Sequence, residues 1–110
     1  MNKNEYLIEH PNQKTTILTG TLRLPSPTAY TPLLEEIRQG IEIQTETYTI
    51  DISGLKFLNS SGLTALARLF LLARQKQRTI KIICSHQIPW QKKSIGSLQK
   101  LWVGIELVMK

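Results

Sequence analysis

The sequence predicts an α/β domain: a mixed sheet of about five strands with helices packed on it, in the order β-β-α-β-α-β-α-β. Three observations carry this. Short runs rich in β-branched and aromatic residues alternate with longer runs whose apolar residues recur at the helical period. Strands separated by helices imply parallel pairing through right-handed crossovers. The first two strands have only a turn between them, so they form a hairpin and give the sheet an antiparallel edge. A chain of 110 residues that is 41% hydrophobic builds one core and is too short for two, so residues 1–110 are read as a single domain.

The segments "EYLIEH" and "KTTILTGTLRL" mix β-branched and aromatic residues with polar ones, and Pro11-Asn12 between them signals the hairpin turn. Pro25, Ser26 and Pro27 stop the second strand, because proline cannot donate to a ladder. In "TAYTPLLEEIRQG", Leu33, Leu34 and Ile37 fall at helical spacing with acids early, and Gly40 is placed as a C-cap. Pro32 is tolerated only in a first turn, which puts the start of this helix near Thr31. Tyr48, Ile50 and Ile52 alternate with polar neighbours over residues 47–53, a strand pattern, and Gly54 to Leu58 are read as the loop after it. The run from about Ser61 to Arg78 is the clearest helix, with Leu63, Leu66, Ala67, Phe70 and Ala73 on one side. "TIKIIC" is a short buried strand, "IPWQKKSIGSLQKLW" a third helix with Pro89 near its start, and "GIELVM" a closing strand.

No run of about 18 apolar residues exists, and "MNKNEYLIEHPNQ" has no apolar stretch of the kind a secretory signal needs. The expected location is the cytoplasm. The lone Cys84 has no partner for a disulfide and is read as a small core residue. Neither His10, placed in the turn before Pro11, nor His86, in a loop after Cys84, has a sequence partner that would make it a base or ligand. Paired carboxylates, a nucleophile–His–acid set and a phosphate loop are all missing from the sequence, in which Asp51 is the only Asp. The chain is therefore read as no enzyme, with no cofactor and no metal.

The net charge of +6 is unevenly spread. Five acids face one base between Glu35 and Asp51, whereas nine bases face only Glu106 between Arg68 and Lys110. Such asymmetry fits either a solvated surface or a basic face toward an acidic partner, a phosphate or nucleic acid. Nucleic-acid binding lacks a basic-aromatic stacking run, and the acidic first helix opposes it.

At the junction "NSSG", residues 59–62, Asn59, Ser60 or Ser61 can supply the oxygen that caps the following helix. The same free N–H groups stabilise an anion, so a phosphoryl group on a serine here is accommodated electrostatically. It would add about −1.5 to −2 of charge. The stretch "TIDISGLKFLNSSGLTALARLFLLAR" resembles the signature of the bacterial STAS family, the anti-sigma-factor antagonist domains: a strand ending in Asp-Leu-Ser, then Asp-Ser-Ser-Gly-Leu and a helix. "LTGTLRL" is similar to that family's second strand, and the element order matches from about Tyr6 to Val108.

The resemblance implies a partner-switching protein. In such members the first serine of the pair, Ser60 here, is phosphorylated by a cognate serine kinase that also serves as an anti-sigma factor, and phosphorylation releases that partner. Two positions depart from the pattern: Asn59 stands for the family's Asp, and Arg23 for an acid at the end of the second strand. Both remove negative charge beside Ser60, and Arg23 offers a guanidinium to a phosphate once formed. The expected contact surface comprises Asn59, Ser60, Ser61, Gly62, Leu63, Thr64 and Arg68, with Arg23. Leu69 and Leu72 join it, because they fall toward the flank or outside when Leu63, Leu66, Ala67 and Phe70 face the sheet. A neighbouring helix covering them is the alternative. Trp90 and Trp102 bracket the third helix as core or lid residues, unless exposure marks one as an interface. A constitutive scaffold or sensor subunit, in which Ser60 only caps a helix, is the competing function.

Overall fold

Alternation in Thr15–Leu22 buries Thr16, Leu18 and Leu22 on one side, and in Tyr48–Ile52 it buries Tyr48, Ile50 and Ile52, which is what a sheet covered on one face requires. The computed structural model describes residues 5–43 and 45–110, so the first four positions and residue 44 of the expected domain lie outside the described residues. Its elements are β1 (Tyr6–Asn12), β2 (Thr15–Leu22), a 3₁₀ turn (Thr28–Tyr30), α1 (Thr31–Ile43), β3 (Tyr48–Leu58), α2 (Ser60–Lys76), β4 (Ile80–Cys84), α3 (Pro89–Gln99) and β5 (Ile105–Met109). The five strands lie side by side in chain order, β1 antiparallel to β2 and the rest parallel. The order β-β-α-β-α-β-α-β is therefore the observed one, and it is compatible with the STAS arrangement. Each of the three crossovers advances one strand in the same direction, so right-handed connections put all three helices on one face. The core lies between, with Ile37, Ile50, Ile52, Phe70, Ile82 and Ile95 fully buried. Among the described residues no helix is long and apolar enough to cross a membrane.

Several local expectations change. The hairpin turns at Gln13-Lys14, not at Pro11-Asn12. Pro11 is tolerated inside β1 because β1 is an edge strand and its register shifts between Glu9 and Asn12. His10 accordingly lies in a strand, its Nδ1 3.0 Å from Thr16 Oγ1, and the buried Thr16 hydroxyl is 2.7 Å from that of Tyr48. Gly40 is no C-cap but an interior residue of α1, and its place is explained by Tyr48, whose Cε2 would lie 2.1 Å from an added Cβ. The acids of α1 fall beyond its first turn, where Arg38 pairs with Glu35 and Glu42.

The largest difference is β3, which continues through Gly54–Leu58 where a loop was expected. Two bulges account for it. Ile17 and Thr19 of β2 sit opposite Asp51 and Gly54, and Gly20 and Thr21 opposite Leu55 and Phe57, so β3 carries an extra residue at each place. Burial then recurs at Ile52, Leu55 and Leu58, every third residue, and the period-two signal disappears.

β4 pairs with β3 only as far as Asp51, so beyond that point one edge of β3 has no strand beside it. The first turn of α3 supplies the missing donors. The fully buried Gln91 amide donates to the carbonyls of Ile52 (2.7 Å) and Leu55 (2.8 Å) and accepts from the Ser85 N–H (2.8 Å). Trp90 Nε1 donates to the Lys56 carbonyl at 2.8 Å. Trp102 Nε1 likewise donates to the Arg78 carbonyl at 2.7 Å, so both tryptophans act as half-buried braces.

Gln91→Leu keeps the volume but strands three backbone groups. We expect a loss of about 3 kcal/mol in urea denaturation, against under ~0.5 kcal/mol for the exposed neighbour change Lys92→Ala. The Cys84 thiol is fully buried, and burial, helped by Asp51, pushes its pKa up to about 12. It should stay unlabelled by a thiol reagent at pH 8 in the native protein and react at once in denaturant; labelling at equal rates would show the core to be open. Burial raises the Tyr30 and Tyr48 phenols too. All three groups are thus raised in the folded state, so the stability they contribute is complete below the unfolded values, about 8.5 for Cys and 10 for Tyr. It is lost as pH rises above them, and urea midpoints should fall between pH 8 and pH 10.5.

Candidate functional site

The two serines follow the far end of β3, where the chain turns from sheet to helix. Asn59, at φ −79° and ψ 176°, leaves the strand in an extended conformation, and its Oδ1 accepts from the Gly62 N–H at 3.0 Å. This is the N-cap geometry, so of the three residues able to cap α2, Asn59 is the one that does so. Its other bonds tie the turn to the segment after β2. Oδ1 also accepts from the Tyr30 hydroxyl (2.7 Å), and Nδ2 donates to the Leu24 carbonyl (2.8 Å). The backbone N–H donates to the Leu22 carbonyl at 3.2 Å. Tyr30 is only 1% exposed and its hydroxyl accepts in turn from the Leu24 N–H at 3.2 Å.

This network gives Asn59 a structural reason. The residue must accept two hydrogen bonds on one atom and donate one from the other, which an amide does and a carboxylate does not. An Asp would keep the cap and set its second oxygen against the Leu24 carbonyl. Gly62, three positions into the turn, is buried because an added Cβ would lie 2.2 Å from Leu58 Cδ1 and 3.0 Å from Tyr30 Cζ. The helix start can approach β3 and the Tyr30 ring this closely only without a side chain.

Ser60 and Ser61 are thereby released from capping. Ser60 is the first residue of α2 and exposed, Ser61 is half-buried, and among the described residues neither hydroxyl makes a hydrogen bond. Of the three candidates left open by the sequence, Asn59 takes the cap, so the scaffold reading in which Ser60 only caps the helix loses that role for Ser60. Arg23 is exposed, with its Nε 3.6 Å from Glu5 Oε1 and its guanidinium 5.6 Å over the Phe57 ring. Those contacts direct it toward the end of β3 and the residue before β1.

Along α2, Thr64 and Arg68 are exposed and Leu63 and Leu72 half-buried against the core. Leu69 is not on an outer flank; it is 7% exposed, while Leu71 is 43% exposed in its place. The buried positions are Gly62, Ala65, Leu66, Leu69, Phe70 and Ala73. This stripe is rotated toward α1, because α2 packs on a neighbouring helix as well as on the sheet. Of the expected contact residues, Asn59, Ser60, Ser61, Gly62, Leu63 and Thr64 form one continuous turn and Arg68 extends it along α2. Leu69 and Leu72 belong to the packing beneath.

Two residues at the site were not singled out from sequence. Tyr30 reads as part of a Pro-rich loop, with nothing to show that its hydroxyl closes the Asn59 network. Phe57, 45% exposed, lies in the doubly bulged part of β3, where the facing of side chains cannot be read from alternation. No protein-family model matches the chain, and no curated protein sequence matches it.

If Asn59 holds the turn and Ser60 does not, the two alanine variants separate cleanly. Asn59→Ala should cost about 1–3 kcal/mol through the lost cap and the stranded Tyr30 and Leu24 groups, and Ser60→Ala under ~0.5 kcal/mol, in equilibrium unfolding. Equal costs would return the capping role to the serine.

Proposed function

We propose that this chain is a non-enzymatic regulatory module resembling the anti-sigma-factor antagonists of the STAS family. It docks a protein partner of the serine-kinase, anti-sigma type through the Ser60 turn and α2, and phosphorylation of Ser60 switches that contact. The observation that carries this reading is the division of labour in the turn: Asn59 caps α2, so the exposed Ser60 hydroxyl has no structural duty. A hydroxyl so placed can be modified without unfolding the helix, and a phosphate there meets the positive end of the α2 dipole. At the centre of a contact surface the same dianion is costly unless the partner pairs it, which is how modification would release a partner.

A constitutive scaffold is the competing reading, and one observation favours it. Both polar atoms of Asn59 are spent on structure, and no carboxylate stands in its place to orient the Ser60 hydroxyl toward a phosphoryl donor. Phosphosite mapping of the protein from its native cells, resting and stressed, separates the two. A switch requires phosphate on Ser60 that varies with condition, and Ser60→Asp should weaken partner capture about tenfold while the unfolding midpoint holds. Complete coverage of Ser60 peptides without phosphate, together with equal capture by Ser60→Asp and wild type, would leave the scaffold.

A further inference from the structure

Two turns along α2 from Ser60, a groove of about 170 Å³ opens between α1 and α2. Its base is apolar, formed by Leu34, Ala65 and Leu69, each 6–7% exposed. Its edges are charged and unequal. On the α1 side the two charged residues that line the groove, Arg38 and Glu35, pair with each other at 2.5 Å, and the Arg38 hydrogen bond holds Glu35 below the usual carboxylate range; Glu42, 2.8 Å from Arg38 and outside the lining, leaves that helix edge net negative beyond the groove. On the α2 side stands Arg68, exposed, with no carboxylate within ion-pair distance among the described residues. Every Asp and Glu of the chain lies among those residues, so none is left to reach it.

The imbalance continues along the helix. α2 carries Arg68, Arg74 and Lys76 and no acid, and from Ile52 to Ile105 the chain contains neither Asp nor Glu. None of these three bases is ion-paired among the described residues. The groove is of the size that takes one ring or branched side chain, since an apolar cavity of about 150 Å³ binds benzene.

We infer that the α1–α2 groove receives one leucine- or phenylalanine-sized anchor from an acidic segment of a partner protein, whose carboxylates pair with Arg68. Charge complementarity selects this occupant. A basic segment would meet Arg68 with no free carboxylate lining the groove to offset it, and a neutral one would leave Arg68 without a counter-charge at the contact. The inference rests on the reading above in taking α2 as the docking helix, and it fixes the sign of the partner. Ser60 lies eight residues, about 12 Å, from Arg68 along the helix. A phosphate there repels an acidic segment and would attract a basic one, so only an acidic partner is released by the modification.

The test is selection of a random peptide-display library on the unphosphorylated protein, followed by mapping of the selected consensus peptide on the isotopically labelled chain by NMR. Enriched peptides should be net acidic with one Leu, Ile or Phe anchor and should shift the resonances of Leu34, Ala65, Arg68 and Leu69. Arg68→Glu should weaken the consensus peptide at least tenfold, and Ala65→Leu, which fills the groove without changing charge, should do the same. Arg68 is exposed, so its variant reports even if Ala65→Leu disturbs folding. Enrichment of basic or neutral peptides, shifts elsewhere, no enrichment, or indifference to Arg68→Glu overturns the inference. Its failure is distinct from failure of the switch, which is read from phosphate on Ser60 and not from peptide composition.

Discussion

The Asn59 side chain is the constraint on which the upper end of the molecule depends. One amide joins two segments far apart in sequence: the β2–α1 connection, through the Leu24 carbonyl and the Tyr30 hydroxyl, and the first turn of α2, through the Gly62 N–H. Buried polar groups are costly when unpaired, and here each closes another, so the position of α2 against β3 is set by a chain of satisfied bonds as well as by apolar contact. The glycine at position 62 is the steric complement of that chain, because it lets the helix come close enough for the bonds to form.

That arrangement separates structure from chemistry within four residues. Asn59 and Gly62 hold the turn, and Ser60 faces solvent with its hydroxyl unengaged. A helix start built this way tolerates a change in charge at its first residue, since neither the cap nor the close approach passes through it. Along the same helix the apolar residues divide in a comparable manner. Leu66, Leu69 and Phe70 are consumed by packing, and Arg68 and Leu71 are left outside.

Element order, the mixed sheet and the helix starts near Thr31 and Pro89 were legible because each rests on short-range signals: alternation, helical period and proline placement. The failures have physical causes of the opposite kind. β3 was cut short because its two bulges are set by β2 and break the alternation from which strands are read. Gly40 was misplaced because its reason is Tyr48, a residue of the next strand. Whether Leu69 lies outside or under a neighbouring helix is not legible, because sequence period gives the width of an apolar stripe but not which neighbours share it. At the site, the serine pair could be located but not the residue that caps, since Asn, Ser and Ser are all competent and only the Tyr30 and Leu24 partners decide between them.

The overhang of β3 has a consequence for when the site exists. Its carbonyls at Ile52, Leu55 and Lys56 find their donors on Gln91 and Trp90, which follow them by more than thirty positions. During synthesis the strand, the serine turn and α2 all leave the ribosome before those donors do. The strand end before the turn therefore acquires its last donors only when α3 docks, and a chain interrupted between β4 and α3 would leave those three carbonyls without them. Completion of the strand end that leads into the turn is in this way tied to arrival of the chain's last helix.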